Sequence, residues 1–130
     1  MSGTWDATIM AVHAADDGWS FPIDAVENGA VFGVVASVKI GQNLMQFVDG
    51  CELFVAVRNL SRSTTLLSRQ QAYALAPQRS PLNQELQLKF DAGWNANEGD
   101  VLEVVATFKV TAGINHDYSL ARSGPLAVTR

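Results

Sequence analysis

The amino-acid sequence predicts an all-β protein, an antiparallel sandwich of two packed sheets with about seven to nine strands. Three observations lead to this prediction. Apolar and polar residues alternate along several segments, as they do in strands with one buried face. Short clusters of Asp, Asn and Gly separate these segments and are typical of turns. The chain has 130 residues, 48% of them hydrophobic, so we expect residues 1–130 to form a single domain with one core.

Six segments are predicted to be strands: residues 5–12, 31–40, 51–57, 86–90, 102–110 and 126–129. One face of the second segment is wholly apolar and consists of Phe32, Val34, Ala36, Val38 and Ile40. The fifth segment repeats this arrangement with Leu102, Val104, Ala106, Phe108 and Val110. A period of two is typical of half-buried strands. A jelly roll or a small barrel is the alternative architecture.

The segment 63–76 is ambiguous. Its sequence, STTLLSRQQAYALA, fits either a strand or a short helix that begins at Ser63 or Thr64. The prolines that follow at positions 77 and 81 suit an edge strand or a loop, so the sequence favours a strand here.

An internal repeat supports the two-sheet prediction. Residues 29–40 and 99–110 align at a constant offset of 70, with identical residues at positions 29, 31, 34, 35, 36 and 39 of the first copy. An Asp-x-Gly-Trp sequence precedes each copy and ends at Trp19 or Trp94. We therefore expect the two strands to occupy equivalent central positions in the two sheets.

The segments 31–40 and 98–113 resemble parts of the immunoglobulin-like sandwiches that are common in bacterial proteins. The second segment, EGDVLEVVATFKVTAG, looks like the F strand of such domains, entered by a Gly-Asp turn and followed by a final hairpin. The resemblance extends over about residues 29–130 and implies an immunoglobulin-like Greek key. It also implies a role in binding, adhesion or assembly, which most of these domains serve.

The distribution of charge argues against some classes of partner. The net charge is −4, residues 1–38 contain five acidic and no basic residues, and residues 53–84 contain four arginines and no acidic residue. An acidic chain whose arginines lack interleaved aromatic residues is not expected to bind nucleic acid. No apolar run approaches the ~18–20 residues of a membrane helix. The first residues, MSGTWDATIM, lack the basic and apolar regions of a secretory signal, so we expect a cytoplasmic protein.

We expect an interaction or assembly module without enzymatic activity, which binds a second copy of itself or another protein. The outward residues of the predicted strands are less polar than a solitary sandwich needs, and a large exposed apolar patch usually marks an interface. The predicted contact residues are Val31, Val35, Phe54, Val101 and Val105, with Arg58, Arg62 and Arg69 as a polar rim. The alternative is that a loop or the segment 63–76 covers this face.

A carbohydrate-binding module is the second hypothesis. The predicted topology brings Trp19 and Trp94 to the same end of the sandwich. If both rings are exposed, they could stack on a sugar beside four polar residues, Asp16, Asp17, Asp91 and Asn95. The alternative interpretation is that both rings fold inward and close the end of the core.

Few residues have the chemistry of a catalytic or metal site. The only histidines, His13 and His116, are predicted to lie in loops at opposite ends of the sandwich, and no spacing matches a zinc or calcium motif. We therefore expect no metal and no cofactor. Cys51 shares an apolar face with Leu53, which predicts a buried, unreactive thiol. A small hydrolase that uses His116 and Asp117 is the third hypothesis.

Overall fold

The structure, a computed structural model, describes residues 6–130, which form nine strands and one short helix. Strands account for 61% of the chain and helix for 3%, which confirms the all-β prediction. The elements are β1 (Ala7–Ala15), β2 (Ala25–Glu27), β3 (Phe32–Ile40), α1 (Gln42–Met45), β4 (Gly50–Asn59), β5 (Thr64–Ala74), β6 (Leu82–Phe90), β7 (Val101–Ala112), β8 (Asn115–Arg122) and β9 (Leu126–Thr129). Trp5, the first residue of the first predicted strand, lies outside the described residues.

The strands form two sheets with the core between them. The smaller sheet has the order β1-β3-β6, and the larger has the order β2-β9-β7-β4-β5, with β8 paired to β7. Paired strands are antiparallel, apart from β2 and β9. The chain crosses between the sheets after β1, β2, β3, β5 and β6, which gives the predicted two-sheet sandwich with crossed connections.

The internal repeat corresponds to the two central strands. β3 lies in the middle of the smaller sheet, and β7 pairs with β4, β8 and β9 in the larger. Their inward residues are at most 1% exposed: Phe32, Val34, Ala36, Val38 and Ile40 in β3, and Leu102, Val104, Ala106, Phe108 and Val110 in β7. Gly29 and Gly99 precede the two strands with positive φ values of 79° and 86°, which other residues rarely adopt. The repeat is therefore a repeated unit of turn and strand.

Side chains of β8 close one edge of the sandwich. The backbone N–H of Ala7 donates to Asp117 Oδ2 at 2.6 Å, and the N–H of Ile9 donates to Ser119 Oγ at 3.0 Å. Because β1 pairs with β3 on its other side, these bonds satisfy donors that an open edge would leave unpaired. Two of the inward residues of β8, Asp117 and Ser119, are therefore polar, whereas Ala121 packs against the core.

The structure settles the ambiguous segment and corrects two local predictions. Residues 64–74 form strand β5, as the sequence favours, and most of its side chains are exposed. His13 lies within β1, which extends beyond its predicted end at residue 12, and His116 lies within β8, where the sequence analysis expected a loop. The sequence analysis did not predict β2, β8 or α1.

Candidate functional site

The part of the outer face of the smaller sheet that surrounds Val35 is covered by the segment that follows β1, residues 16–22, which we call the cover segment. It returns to the sheet at Pro22, which forms a bridge with the last residue of β1. The ring Nε2 of His13, on β1, lies 2.7 Å from the carbonyl oxygen of Ser20. The side-chain amide of Gln87, on β6, donates to Ser20 Oγ at 3.4 Å. Contacts from two strands thus hold the cover segment across this face.

Val35 occupies the centre of the covered face and is 1% exposed. It alternates with the inward residues of β3 and therefore projects away from the core. Its neighbours across the sheet are His13 and Gln87, the two residues that contact the cover segment. Between the cover segment and the sheet lies a small pocket of about 220 Å³, which both Val35 and Trp19 line. The chain thus buries an apolar outward residue of the smaller sheet by itself.

The outer face of the larger sheet has no comparable cover in the described part of the chain. Phe54 and Val105 lie half-buried at its centre, beside a groove of about 360 Å³. Leu120 of β8 extends the apolar surface and is 72% exposed, and Tyr118 beyond it is 59% exposed. We call this surface the open face; it consists of the outward side chains of residues 52–58, 68–72, 103–109 and 118–122.

Charged side chains of opposite sign face each other across the two central strands of the open face. Arg58 of β4 lies opposite Glu103 of β7, and Glu52 of β4 lies opposite Lys109 of β7. Glu103 also forms an ion pair with Arg122 of β8, with Nη1 and Oε1 3.6 Å apart. Between these two levels the side chains of β4, β5 and β7 are apolar or uncharged, and Arg122 of β8 lies at the level of Val105. Cross-strand pairs of opposite charge stabilise a sheet by roughly 0.2–1 kcal/mol each.

Two uncharged side chains hold the second charged level in place. The Lys109 ammonium lies 5.9 Å from the centroid of the Tyr118 ring, within the range of a cation–π interaction. The side-chain amide of Gln70, on β5, donates a hydrogen bond to the carboxylate of Glu52. Side chains from all four strands of the open face therefore take part in this second group of charges.

Two of the three predicted rim arginines contact other parts of the molecule. Arg62 lies in the turn after β4, with its Nε 3.3 Å from Asp100 Oδ2. Arg69 projects from β5 toward the smaller sheet, where its guanidinium donates to the carbonyl of Lys89 on β6. Only Arg58 remains on the open face.

The five predicted apolar contact residues are also divided. Phe54 and Val105 meet on the open face and line the same groove. Val31 and Val101 lie half-buried at the beginnings of the two central strands. Val35 is removed from the predicted contact surface because the cover segment buries it.

The two Asp-x-Gly-Trp sequences lie at the same end of the sandwich, but their Trp side chains differ. Trp94 is 9% exposed, its Nε1 donates to the carbonyl of Ala30 at 2.7 Å, and its ring packs edge-on against Phe32. Trp19 is 62% exposed on the cover segment, with its ring centroid 6.5 Å from that of Phe21. Trp94 thus closes the core, and the predicted platform of two exposed Trp rings does not form.

The polar residues predicted to surround that platform are separated in the same way. Asp16 and Asp17 lie beside Trp19, and Asp17 Oδ2 is 3.9 Å from the ammonium of Lys89. Asp91 is exposed at the end of β6, and Asn95 Oδ1 accepts a hydrogen bond from the side chain of Asn28 at 3.3 Å.

The residues of the hydrolase hypothesis have other contacts. His116 Nδ1 lies 3.2 Å from Thr111 Oγ1, whereas Asp117 accepts a backbone N–H of β1, and successive residues of a strand project to opposite faces. Burial, followed by the charge of Glu52, raises the pKa of Cys51 to about 11, so the thiol stays protonated at neutral pH. Within residues 6–130, no three His, Cys, Asp or Glu side chains lie close enough to hold a metal ion together.

The sequence analysis missed Tyr118 and Leu120, the most exposed large side chains of the open face. Their two-residue spacing was a possible signal of a strand. That signal is weak, because the inward neighbours Asp117 and Ser119 are polar and break the usual contrast between the two faces.

Comparisons with known proteins support the fold. No family model and no curated protein sequence matches the chain. One similar solved structure is the CARDB domain of a Pyrococcus furiosus protein in complex with di-metal ions, with a TM-score of 0.52 and 15% identity over 95% of this chain and 88% of that one. Another is a chain assigned as a beta-galactosidase from Bacteroides fragilis, with a TM-score of 0.56 and 15% identity over 94% of this chain.

At this level of identity the similarity shows the fold alone. Both neighbours are consistent with an immunoglobulin-like sandwich, as the sequence resemblance implies. The present chain spans only 17% of the length of the Bacteroides chain. In the described part of the present chain, no helix is long and apolar enough to cross a bilayer.

Proposed function

We propose that the chain is a non-enzymatic binding module that docks to a protein surface through the open face. The contrast between Val35 and Val105 is the observation that supports this function most strongly. These valines occupy matching positions of the internal repeat, and both project outward from a central strand. The chain covers Val35 with its own residues but leaves Val105 beside an open groove. A protein partner would give Val105 the same protection from water.

The composition of the open face suits an interface between proteins. Phe54, Val105 and Leu120 provide apolar contact area, and Tyr118 provides an amphipathic ring. The charged residues of the two central strands lie at two levels on either side of the apolar centre. An apolar centre with a polar surround is the usual organisation of specific protein interfaces.

Photo-cross-linking from matched positions tests this function. Thr107 of β7 and Ser37 of β3 are equivalent in the repeat and project from the open and the covered face. A benzophenone amino acid is placed at either position, and the protein is irradiated in its native host. We expect a discrete cross-linked protein from position 107 and none from position 37. Equal yields from both positions would contradict docking through the open face.

A pair of surface substitutions controls for the specificity of the cross-link. Leu120→Glu places a charge on the open face, and Ile114→Glu places one at the tip of the β7–β8 hairpin, where Ile114 is 93% exposed. We expect Leu120→Glu to reduce the yield from position 107 at least about tenfold, and Ile114→Glu to leave it unchanged. Equal effects of the two substitutions would show that the cross-link does not depend on the open face.

Carbohydrate binding remains a second candidate because the cover segment exposes two aromatic rings. Trp19 and Phe21 are 62% and 72% exposed, and the rings are tilted by 35°. Exposed aromatic rings can stack on the apolar face of a sugar ring. A glycan array with Trp19→Ala and Phe21→Ala variants tests this function, and a sugar signal that survives both substitutions would contradict it.

A further inference from the structure

We propose that the partner of the open face is a second copy of this chain, related by a two-fold axis that runs along the strands between β4 and β7. This inference rests on the proposed docking function and names its partner. It follows from the arrangement of charge on the open face, together with the apolar surface between the charged levels.

The register of the two central strands makes the open face self-complementary in charge. Arg58 and Glu103 lie at one level, and Glu52 and Lys109 lie at another, with the two acidic residues on different strands. A two-fold axis along the strands between β4 and β7 brings β4 of one copy over β7 of the other. Arg58 then faces the partner's Glu103, and Glu52 faces the partner's Lys109. Every charge of the two central strands therefore meets its opposite.

The same symmetry brings the apolar centres together. Ala56 of β4 lies opposite Val105 of β7, and Phe54 lies opposite Thr107. In the dimer, Ala56 faces the partner's Val105, and the ring of Phe54 packs on the partner's Thr107. Leu120, which is 72% exposed, then lies over Gln70 of the partner subunit. The sheets pack with nearly aligned strands, which is one of the two common geometries for sheets that stack face to face.

A two-fold axis across the strands, midway between the two charged levels, is the alternative arrangement. It would place β4 over β4 of the second copy with the levels reversed, so that Glu52 faces the partner's Arg58 and Lys109 faces the partner's Glu103. The charges of the central strands are complementary in both arrangements, so the neighbouring strands decide between them. The axis across the strands would bring Arg122 over the partner's Leu120, an apolar side chain, whereas the axis along the strands brings it over the partner's Ser68.

The smaller sheet does not offer an equivalent surface. On β3 the outward charge is Lys39, and its neighbours across the sheet are Thr8 and Asn83 rather than an acidic residue. Glu85 lies opposite Ser37. The outer face of the smaller sheet thus lacks both an exposed apolar centre and pairs of opposite charge between neighbouring strands, and its Lys89 is instead paired with Asp17 of the cover segment.

The size of the open face indicates a dimer of moderate affinity. Four strands about 4.8 Å apart and about seven residues long present roughly 450 Å² of flat area. This area is presented by each copy, so the two copies together contribute roughly 900 Å², which lies at the small end of specific protein interfaces. We therefore expect a dissociation constant in the micromolar range. Sedimentation velocity over a concentration series measures this constant directly.

Two charge reversals and their mixture test the proposed dimer. Glu52→Lys gives a face with lysine on both strands, and Lys109→Glu gives a face with glutamate on both. Each variant alone brings like charges together across the proposed interface, so we expect its homodimer to weaken at least tenfold. When the two variants are mixed, every lysine meets a glutamate again. We expect the heterodimer to be the dominant dimer in native mass spectrometry.

The mixture separates the interface from effects within each chain. Each reversal also places like charges side by side within its own sheet, and mixing does not relieve that repulsion. Recovery of dimer on mixing therefore reports contacts between chains. Lys39→Glu mixed with Glu85→Lys is the matched control on the smaller sheet, for which we expect no preference for a heterodimer.

Each outcome of these experiments decides between the two proposals. Unaltered dimers of the single variants, or no heterodimer preference in the mixture, would overturn the two-fold arrangement. A wild-type chain that stays monomeric at high concentration would overturn the choice of a second copy. If position 107 then still cross-links to a different protein, the docking function stands and the self-partner fails. If position 107 yields no cross-link, both proposals fail.

Discussion

The outer faces of the two sheets differ although their central strands share a sequence. β3 and β7 both contain Val-Val-Ala at matching positions, and the middle valine projects outward in each. Val35 is 1% exposed under the cover segment, whereas Val105 lies half-buried beside an open groove. The comparison shows that an outward apolar residue does not define an interface by itself. Such a residue is buried or exposed according to whether another segment of the chain lies over it.

The largest difference in the free energy of unfolding is expected between substitutions of the two Trp residues in the Asp-x-Gly-Trp sequences. Trp94→Ala removes a buried ring and its hydrogen bond to the Ala30 carbonyl, so we expect the free energy of unfolding to fall by about 3–5 kcal/mol. Trp19→Ala removes an exposed ring from the cover segment and should change it by less than about 0.5 kcal/mol. Urea denaturation of both variants measures the difference. Similar losses would mean that Trp19 is also part of the packed structure.

Substitutions of the matched valines, Val35 and Val105, are expected to give the next largest difference in the free energy of unfolding. Val35→Ala leaves a gap beneath the cover segment, and we expect it to lower the free energy of unfolding by about 2 kcal/mol. Val105→Ala at a protein concentration that favours monomer should lower it by less than about 1 kcal/mol, because the side chain is only half-buried. Chemical denaturation at low concentration compares them. A larger loss for Val105→Ala would reverse the proposed contrast between the faces.

The attachment of the cover segment is expected to have a smaller effect. His13→Ala removes the bond to the Ser20 carbonyl, which spans 2.7 Å, and we expect a loss of about 1 kcal/mol. The loosened segment should also let water reach Val35. Hydrogen exchange at residues 16–22 checks this expectation, and unchanged protection there would show that other contacts hold the segment.

The pH dependence of stability should differ between the starts of the two central strands. Asp100 precedes β7, where the repeat has Ala30 before β3. A hydrogen bond from Asn59, then one from the backbone of Asn97, and the nearby Arg62 hold the pKa of Asp100 below its usual range. A carboxyl whose pKa is lowered on folding stabilises the protein above its unfolded pKa and loses this effect as pH falls through the folded value.

We therefore expect Asp100→Asn to flatten the loss of stability between the usual aspartate pKa and the lowered one. Thermal unfolding of the wild type and the Asp100→Asn variant across this acidic pH range checks this expectation. A variant that loses stability with acid as steeply as the wild type would show that Asp100 does not contribute.

The central strands were predictable because each buries one face completely. An uninterrupted two-residue period arises only where alternate side chains enter a packed core, and β3 and β7 have five such residues each. β8 lacks that pattern since Asp117 and Ser119 face β1 and bond to its backbone. β2 has three residues and depends on its pairing with β9, which is distant in sequence.

The candidate site was only partly predictable for a related reason. Phe54 and Val105 could be placed on an outer face from alternation alone. The burial of Val35 depends on a segment that crosses the sheet through contacts of His13 and Gln87, and local sequence carries no signal for it. The direction of Arg69 likewise depends on the neighbouring edge of the other sheet. Exposure of these residues is a property of the whole fold.

The most direct test of the central claim measures the water exposure of two methyl-bearing side chains in one sample. Methyl NMR spectra of a labelled protein are recorded with a soluble paramagnetic agent at low and high protein concentration. We expect Val35 to be protected at both concentrations, and Val105 to be accessible when the protein is dilute and protected when it is concentrated. Equal accessibility of the two valines in the dilute sample, or an unchanged Val105 signal while dimers form, would contradict the account.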